Sequence, residues 1–264
     1  MGSWVTLAII VGCVAFAFPY VVGPILVLAT LKFRVPAEIL RVDPQQAALP
    51  NDVRQAMHVD YEQLTACGFE MRDLLYFPVI VPNLRTLVAC YTNKTTQDGA
   101  ISAFILGESE FTTLRKHHVE FVRRTADDTI IQTNNSDELG SFPRKPKEYT
   151  TQFFGERDVR QLFALHQHIA RQLASNSPAV SRLETEFRGD CAAYFSQVVF
   201  GESLREQFQT GYLRDAGVEI RPTLKGAVLM AWKELWPVKS LRRSAARRTA
   251  ERRRTGFQPV MHAQ

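Results

Sequence analysis

The chain has 264 residues, of which 45% are apolar and 22% charged, a balance that excludes wholesale disorder and leaves room for one globular core plus attachments. Its net charge of +5 conceals a split: from Arg221 onward eleven Lys or Arg stand against two acids, so this stretch carries +9 and the remainder −4. An anionic partner is therefore expected for the C-terminal part alone.

Residues 1–31, MGSWVTLAIIVGCVAFAFPYVVGPILVLATL, hold no charged side chain before Lys32. A helix crosses the ~30 Å hydrocarbon core of a bilayer with about 20 apolar residues at about 1.5 Å each. The run thus predicts a single transmembrane anchor, with Pro19 and Pro24 giving a kink or one ragged end. A cleavable signal peptide fits less well, because no Lys or Arg opens the stretch and its apolar run is long. A re-entrant hairpin turning at Gly23 and Pro24 would leave a second arm too short to return. Tyr20, within the span, is expected to pack there. Positive charge follows the run at Lys32, Arg34 and Arg41, which predicts an N-terminus outside and a main domain in the cytoplasm.

A juxtamembrane linker over residues 32–50 leads to an α+β domain expected over residues 51–220. In NDVRQAMHVDYEQLTACGF, Asn51 is placed to cap a helix, Val53, Met57, Tyr61 and Leu64 fall on one stripe, and Gly68 ends it. The short β-rich runs LLYFPVIV, LRTLVACYTN, AISAFILGE, HHVEFVRRT and TIIQTNN, separated by PN, TTQDG and ADD, predict an antiparallel meander. QDG puts a glycine where a hairpin needs positive φ, and Pro78 marks an edge strand or a bulge. SFPRKPKEY reads as a loop. Helical spacing returns with Val159, Leu162, Phe163, His166, Ile169 and Leu173 on one face, and Ser177 with Pro178 is placed to open a further helix reaching about residue 212, with Gly201 a candidate break within it. The fold class expected is α+β: a single N-terminal transmembrane helix, then a helix, an antiparallel β-meander and C-terminal helices packed on one face of the sheet.

Motifs for phosphate, dinucleotide, calcium or zinc-protease chemistry are absent from the sequence. His166 and His168 lie two apart on a predicted helix and point apart, and His117 and His118 point to opposite faces of a strand, so neither pair suits a metal. His166, on the apolar stripe, reads as a core histidine with its polar atoms satisfied. Asp127 and Asp128 read as a turn, and Glu184 and Glu186 as solvated helix positions. Arg115, Lys116, His117, Arg123 and Arg124 form a basic patch best explained as a solvated face balanced by Glu120 and Asp127. The four cysteines, Cys13, Cys67, Cys90 and Cys191, lack ligand spacing and read as buried thiols, with a disulfide between two of the last three left open. No catalytic residue, metal or cofactor is assigned.

In residues 221–238, Leu224, Val228, Leu229, Trp232, Leu235 and Trp236 occupy one arc of a helix of about four turns ended by Pro237. Its longest uncharged run is too short to be a second span. Two tryptophans near one end of an apolar face suit a helix at the headgroup boundary, the competing expectation being that this face docks on the domain itself. The polybasic tail, residues 239–264, adds Arg242, Arg243, Arg247, Arg248, Arg252, Arg253 and Arg254, each worth about 1 kcal/mol near an anionic leaflet. The expected membrane-surface contact comprises these arginines with Leu224, Val228, Trp232, Leu235 and Trp236. The expected partner is the anionic inner leaflet, with nucleic acid and an acidic protein behind it. The function expected is a single-pass anchored binding or scaffolding module, the competing class being a membrane-bound enzyme with a dispersed active site.

Overall fold

The structure is a computed structural model describing residues 2–33, 39–43, 49–77, 84–108, 113–174, 177–217 and 219–258. The chain separates into two compact units: residues 1–35, 139–143 and 202–244 form the first, and residues 36–138, 144–201 and 245–264 the second.

The second unit is α+β. Its seven-stranded sheet comprises β1 (Leu40–Arg41), β2 (Glu70–Phe77), β3 (Leu84–Asn93), β4 (Asp98–Glu108), β5 (Thr113–Arg124), β6 (Ile130–Asn134) and β7 (Glu148–Gln152), in that spatial order. Strands β1 to β6 pair antiparallel, β2 to β6 as the short alternating runs predict, whereas β1 lies within the stretch expected as a linker. β7 pairs parallel to β6, Ile130 opposite Glu148 and Asn134 opposite Gln152. The sheet is therefore mixed rather than a pure meander. The signal for β7 was hidden because KEYTTQ is polar on both sides, and its parallel return needs a long connection that no tight turn announces. Pro78, expected at an edge or bulge, lies outside the described residues.

One face of the sheet is covered by α2 (Asn51–Ala66) and α3 (Val159–Leu173). Their apolar stripes bury Val53, Leu64, Leu162, Leu165 and Ile169 against Leu87, Tyr91, Val119, Phe121 and Ile131. Phe69, Phe121 and Phe163 stack mutually with ring centroids 5.0 to 5.5 Å apart, a geometry that adds to simple burial. Asp158 caps α3 by accepting from the Arg160 and Gln161 amides. Asn51 is the first residue of α2 rather than its cap; Pro50 precedes it and no side chain caps that end. Tyr61 is exposed rather than on the buried stripe.

The opposite face is also covered, at β2 to β4, so helices do not pack on one face only. The long helix expected from Ser177 and Pro178 is instead broken into α4 (Arg182–Thr185), α5 (Cys191–Tyr194) and a π-helical stretch Phe195–Glu202. Ser181 caps α4 and Asp190 caps α5, with Arg188 and Gly189 between them at positive φ. The break swings Cys191 and Phe195 onto Leu75, Phe77, Val88, Cys90 and Ala103. In the TTQDG hairpin the left-handed residue is Gln97, φ 60°, whereas Gly99 lies within β4.

The first unit contains α1 (Gly2–Thr30), α6 (Ser203–Gln209), the hairpin β8 (Leu213–Asp215) and β9 (Ile220–Pro222), and α7 (Leu224–Trp232). Phe33 exchanges both backbone hydrogen bonds with Ile220 at 2.9 Å, tying the end of α1 to the hairpin. α7 ends at Trp232, short of Pro237, and turns follow before α8 (Val238–Arg254). Thr223 caps α7, accepting from the Gly226 amide at 3.2 Å while donating to the Gly211 carbonyl at 2.6 Å. A Cβ on Gly226 would stand 2.0 Å from the Tyr212 carbonyl oxygen, so only glycine fits that crossing. α8 gives its residues up to Ser244 to the first unit and those from Ala245 to the second.

Candidate functional site

Both units carry chemistry beyond packing. In the first unit the observed partner of α7 is α1. Trp236 meets Phe16 edge-on at 6.2 Å, Trp232 meets Tyr20 edge-on at 5.8 Å, and a Cβ on Gly23 would touch the Ala231 Cβ at 3.3 Å. Residue numbers rise along α7 as they fall along α1, so the helices run antiparallel and close. Proline at position 24 has no N–H to donate, so the carbonyl of Tyr20, four residues earlier, loses its helical partner. The Trp232 indole N–H donates to that carbonyl at 2.9 Å. The Tyr20 hydroxyl in turn donates to the Trp236 carbonyl. The expectation that Tyr20 packs is thus met by α7.

Every described side chain of α1 from Trp4 to Phe18 is exposed, and coverage begins at Pro19. No residue of its most apolar 18-residue window is buried, and this is the one helix among the described residues long and apolar enough to cross a membrane.

The predicted contact residues divide. Leu224, Trp232 and Trp236 are exposed, by 64%, 40% and 69%, while Val228 and Leu235 are half-buried. The segment expected as a tail is largely the helix α8, and Arg242, Arg247 and Arg253 are among its arginines that already have protein partners. Arg242 donates to the Gly140 carbonyl at 2.6 Å. Arg247 lies over the Phe154 ring. Arg253 donates to Thr151 Oγ1 at 2.5 Å and lies over the Tyr149 ring. Arg243 is half-buried, and Arg248, Arg252 and Arg254 are exposed. Ala250 is in the core of the second unit.

In the second unit, buried Asp60 on α2 receives Ser102 Oγ from β4 at 2.5 Å and His117 Nε2 from β5 at 2.6 Å, both on Oδ2. The His117 ring stacks on Phe104 with centroids 4.6 Å apart. A nucleophilic relay needs its imidazole to split two nitrogens between carboxylate and hydroxyl. Here one nitrogen faces both, Ser102 is fully buried, and its proton points to the carboxylate. What the arrangement offers is an oriented imidazole: Nε2–H held by the carboxylate leaves Nδ1 as the basic nitrogen on a side chain 37% exposed. Sequence reading passed over Asp60, although a carboxylate between Met57 and Leu64 on an apolar stripe was a visible signal.

A second buried network centres on Asp98. Arg123 grips it with two bonds of 2.7 and 2.8 Å, Gln167 donates to it, and His166 Nε2 stands 3.6 Å away. His166 Nδ1 faces Thr133 Oγ1 at 3.0 Å, but its Nε2 has no hydrogen-bond partner, so the core histidine is only half satisfied. Burial works to raise the Asp98 carboxyl, yet His166 and Arg123 outweigh it and hold it near 2. Three cations of the basic patch are paired, though by other acids than expected: Arg123 by Asp98, Arg124 by Asp128 at 2.7 Å and Lys116 by Glu138. Glu120 is instead held by Asn134, its carboxyl raised by burial. Glu184 is not simply solvated, since it pairs with Arg72 at 2.6 Å.

All four cysteines are free: Cys13 is exposed, Cys67 half-buried, and Cys90 and Cys191 are buried. Burial pushes the Cys67 thiol up to about 11. No cluster of metal-ligating side chains occurs among the described residues. A cavity of about 390 Å³ lies between α3 and the segment after α8, lined by Gln167, His168, Arg171 and Phe257.

No protein-family model, characterised protein or solved structure matches this chain.

Proposed function

We propose that this protein is a single-pass membrane-anchored module whose α+β unit binds or scaffolds a partner at the inner leaflet. The observation that supports it is α1, a helix of 29 residues with no charged side chain and with every described side chain from Trp4 to Phe18 exposed. A sheath of exposed apolar residues on this scale is costly in water and favourable in lipid. A binding role is preferred for the α+β unit because, among the described residues, the Ser102–His117–Asp60 contact has its hydroxyl buried and so favours no nucleophilic reaction. Contact with anionic lipid falls to α7 and to Arg248, Arg252 and Arg254, whose head groups are exposed. Nucleic acid fits less well, since the arginines of α8 are not interleaved with accessible aromatics for stacking.

An enzymatic reading has one observation in its favour, the Asp60–His117 pair with its basic Nδ1 turned from the carboxylate. The experiment for the main reading is alkaline carbonate washing of membranes, followed by detergent extraction and identification of co-purifying molecules. Retention through the wash, with one protein recovered in fixed proportion, is expected. Release by carbonate would overturn the anchor, including the case of a signal sequence removed before assembly.

A further inference from the structure

Given the anchoring reading, on which this step rests, α1 is too long for the bilayer. Its 29 residues span about 43 Å at 1.5 Å each, against a hydrocarbon core of about 30 Å. Some nine residues must then lie beyond the hydrocarbon, and the structure distinguishes the two ends. From Trp4 to Phe18 the described side chains are exposed, as on a lipid-facing helix, although Phe16 also meets the Trp236 ring. From Pro19 on, a stripe comprising Tyr20, Gly23, Pro24, Val27 and Leu28 is covered, and Tyr20 and Gly23 meet α7 there.

The change occurs at a cluster of amphipathic rings. Trp232 packs at the level of Tyr20 and Trp236 one turn nearer the N-terminus, at Phe16, and Trp4 stands sixteen residues, about 24 Å, from Tyr20. Aromatic side chains with one polar edge concentrate at both boundaries of a bilayer. The carbonyl that Pro24 orphans sits at this same level, and the Trp232 indole satisfies it, as an orphan near lipid requires. Immediately beyond Trp236 come Lys239, Arg242 and Arg243; Lys239 pairs with Glu234 and Arg242 with the Gly140 carbonyl, and charges of this kind are costly any deeper.

We propose that the hydrocarbon boundary lies at the Tyr20–Trp232–Trp236 cluster. Residues from the start of α1 to about Tyr20 cross the hydrocarbon, and the remainder of α1 stands beside α7 in the headgroup layer. α7 then runs along the anchor, not flat on the surface, and its tryptophans mark depth.

The chain has three tryptophans, so Trp4→Phe leaves only the two at the cluster, and Trp4 is 78% exposed, which makes the change harmless to folding. The full-length variant would be reconstituted into liposomes carrying bromine either close to the headgroups or close to the chain ends. Greater loss of fluorescence with the shallow label is expected. Greater loss with the deep label would place α7 inside the hydrocarbon and overturn the boundary. No loss with either, in liposomes that float with the protein attached, would place α7 in water and also overturn it, with the anchor intact. Failure of the protein to float would remove the anchoring reading itself.

Discussion

Asp98 has no exposed side-chain surface, and the Arg123 that grips it is 14% exposed, so its ionisation belongs to the stability of the fold. Its native carboxyl, near 2, lies below the ordinary 3.8. The stabilisation this brings is present above the ordinary value and is lost as pH falls through the native one. The difference is worth about 2 kcal/mol. Denaturant midpoints of the full chain in detergent should therefore decline between about pH 4 and pH 2, and Asp98→Asn should flatten that decline. The same variant should cost about 3–5 kcal/mol at neutral pH, because it leaves Arg123 buried without its counter-charge. An unaltered acid profile would show that another carboxylate governs it. None of this was visible in TTQDG, where Asp98 reads as a turn residue; only the register that sets Asn93 opposite Asp98 and brings β5 alongside exposes its role.

At the level of elements, α8 separates the two readings of the arginine-rich end. A solvated tail would tolerate any single arginine loss, but Arg253 is half-buried, bonded to Thr151 and set over Tyr149. Arg253→Ala should destabilise the chain by about 1–2 kcal/mol, whereas Arg248→Ala should stay within about 0.5 kcal/mol, both read as shifts in denaturant midpoint. Equal and negligible shifts would return the segment to a tail. Sequence periodicity located α2, α3 and the strands β2 to β6 because each has a continuous apolar rhythm facing a core. It failed where rhythm and structure part. The spacing of Val180, Leu183, Phe187, Cys191 and Phe195 suggested one helix, yet Gly189 at positive φ and the caps Ser181 and Asp190 divide it. β8 and β9 are three residues each, too short for any pattern. The tryptophan arc of α7 was legible, but not its neighbour: periodicity identifies an apolar face and cannot say that Gly23 and Ala231 allow it to close on α1.

For the whole molecule, charge follows the division into units. The first unit holds ten Lys or Arg against five Asp or Glu, and the second holds twenty-two of each, so the entire net charge of +5 resides with the apolar helix. Positive flanks within about 15–20 residues of a span stay on the cytoplasmic side, and here Lys32 and Arg34 follow α1 directly while Trp4 precedes its apolar body with no charge at all. The cytoplasmic leaflet is also the anionic one, where each cation near the surface gains about 1 kcal/mol, so retention and adhesion favour the same orientation. A reporter fused after Gln264 should accordingly be active only in its cytoplasmic form and resist protease added to intact cells. Replacing Lys32 and Arg34 by glutamate should send a fraction of molecules across the other way. If the unaltered fusion is cleaved from outside, the orientation is reversed, and the cations of the first unit would then meet a leaflet poor in anionic lipid.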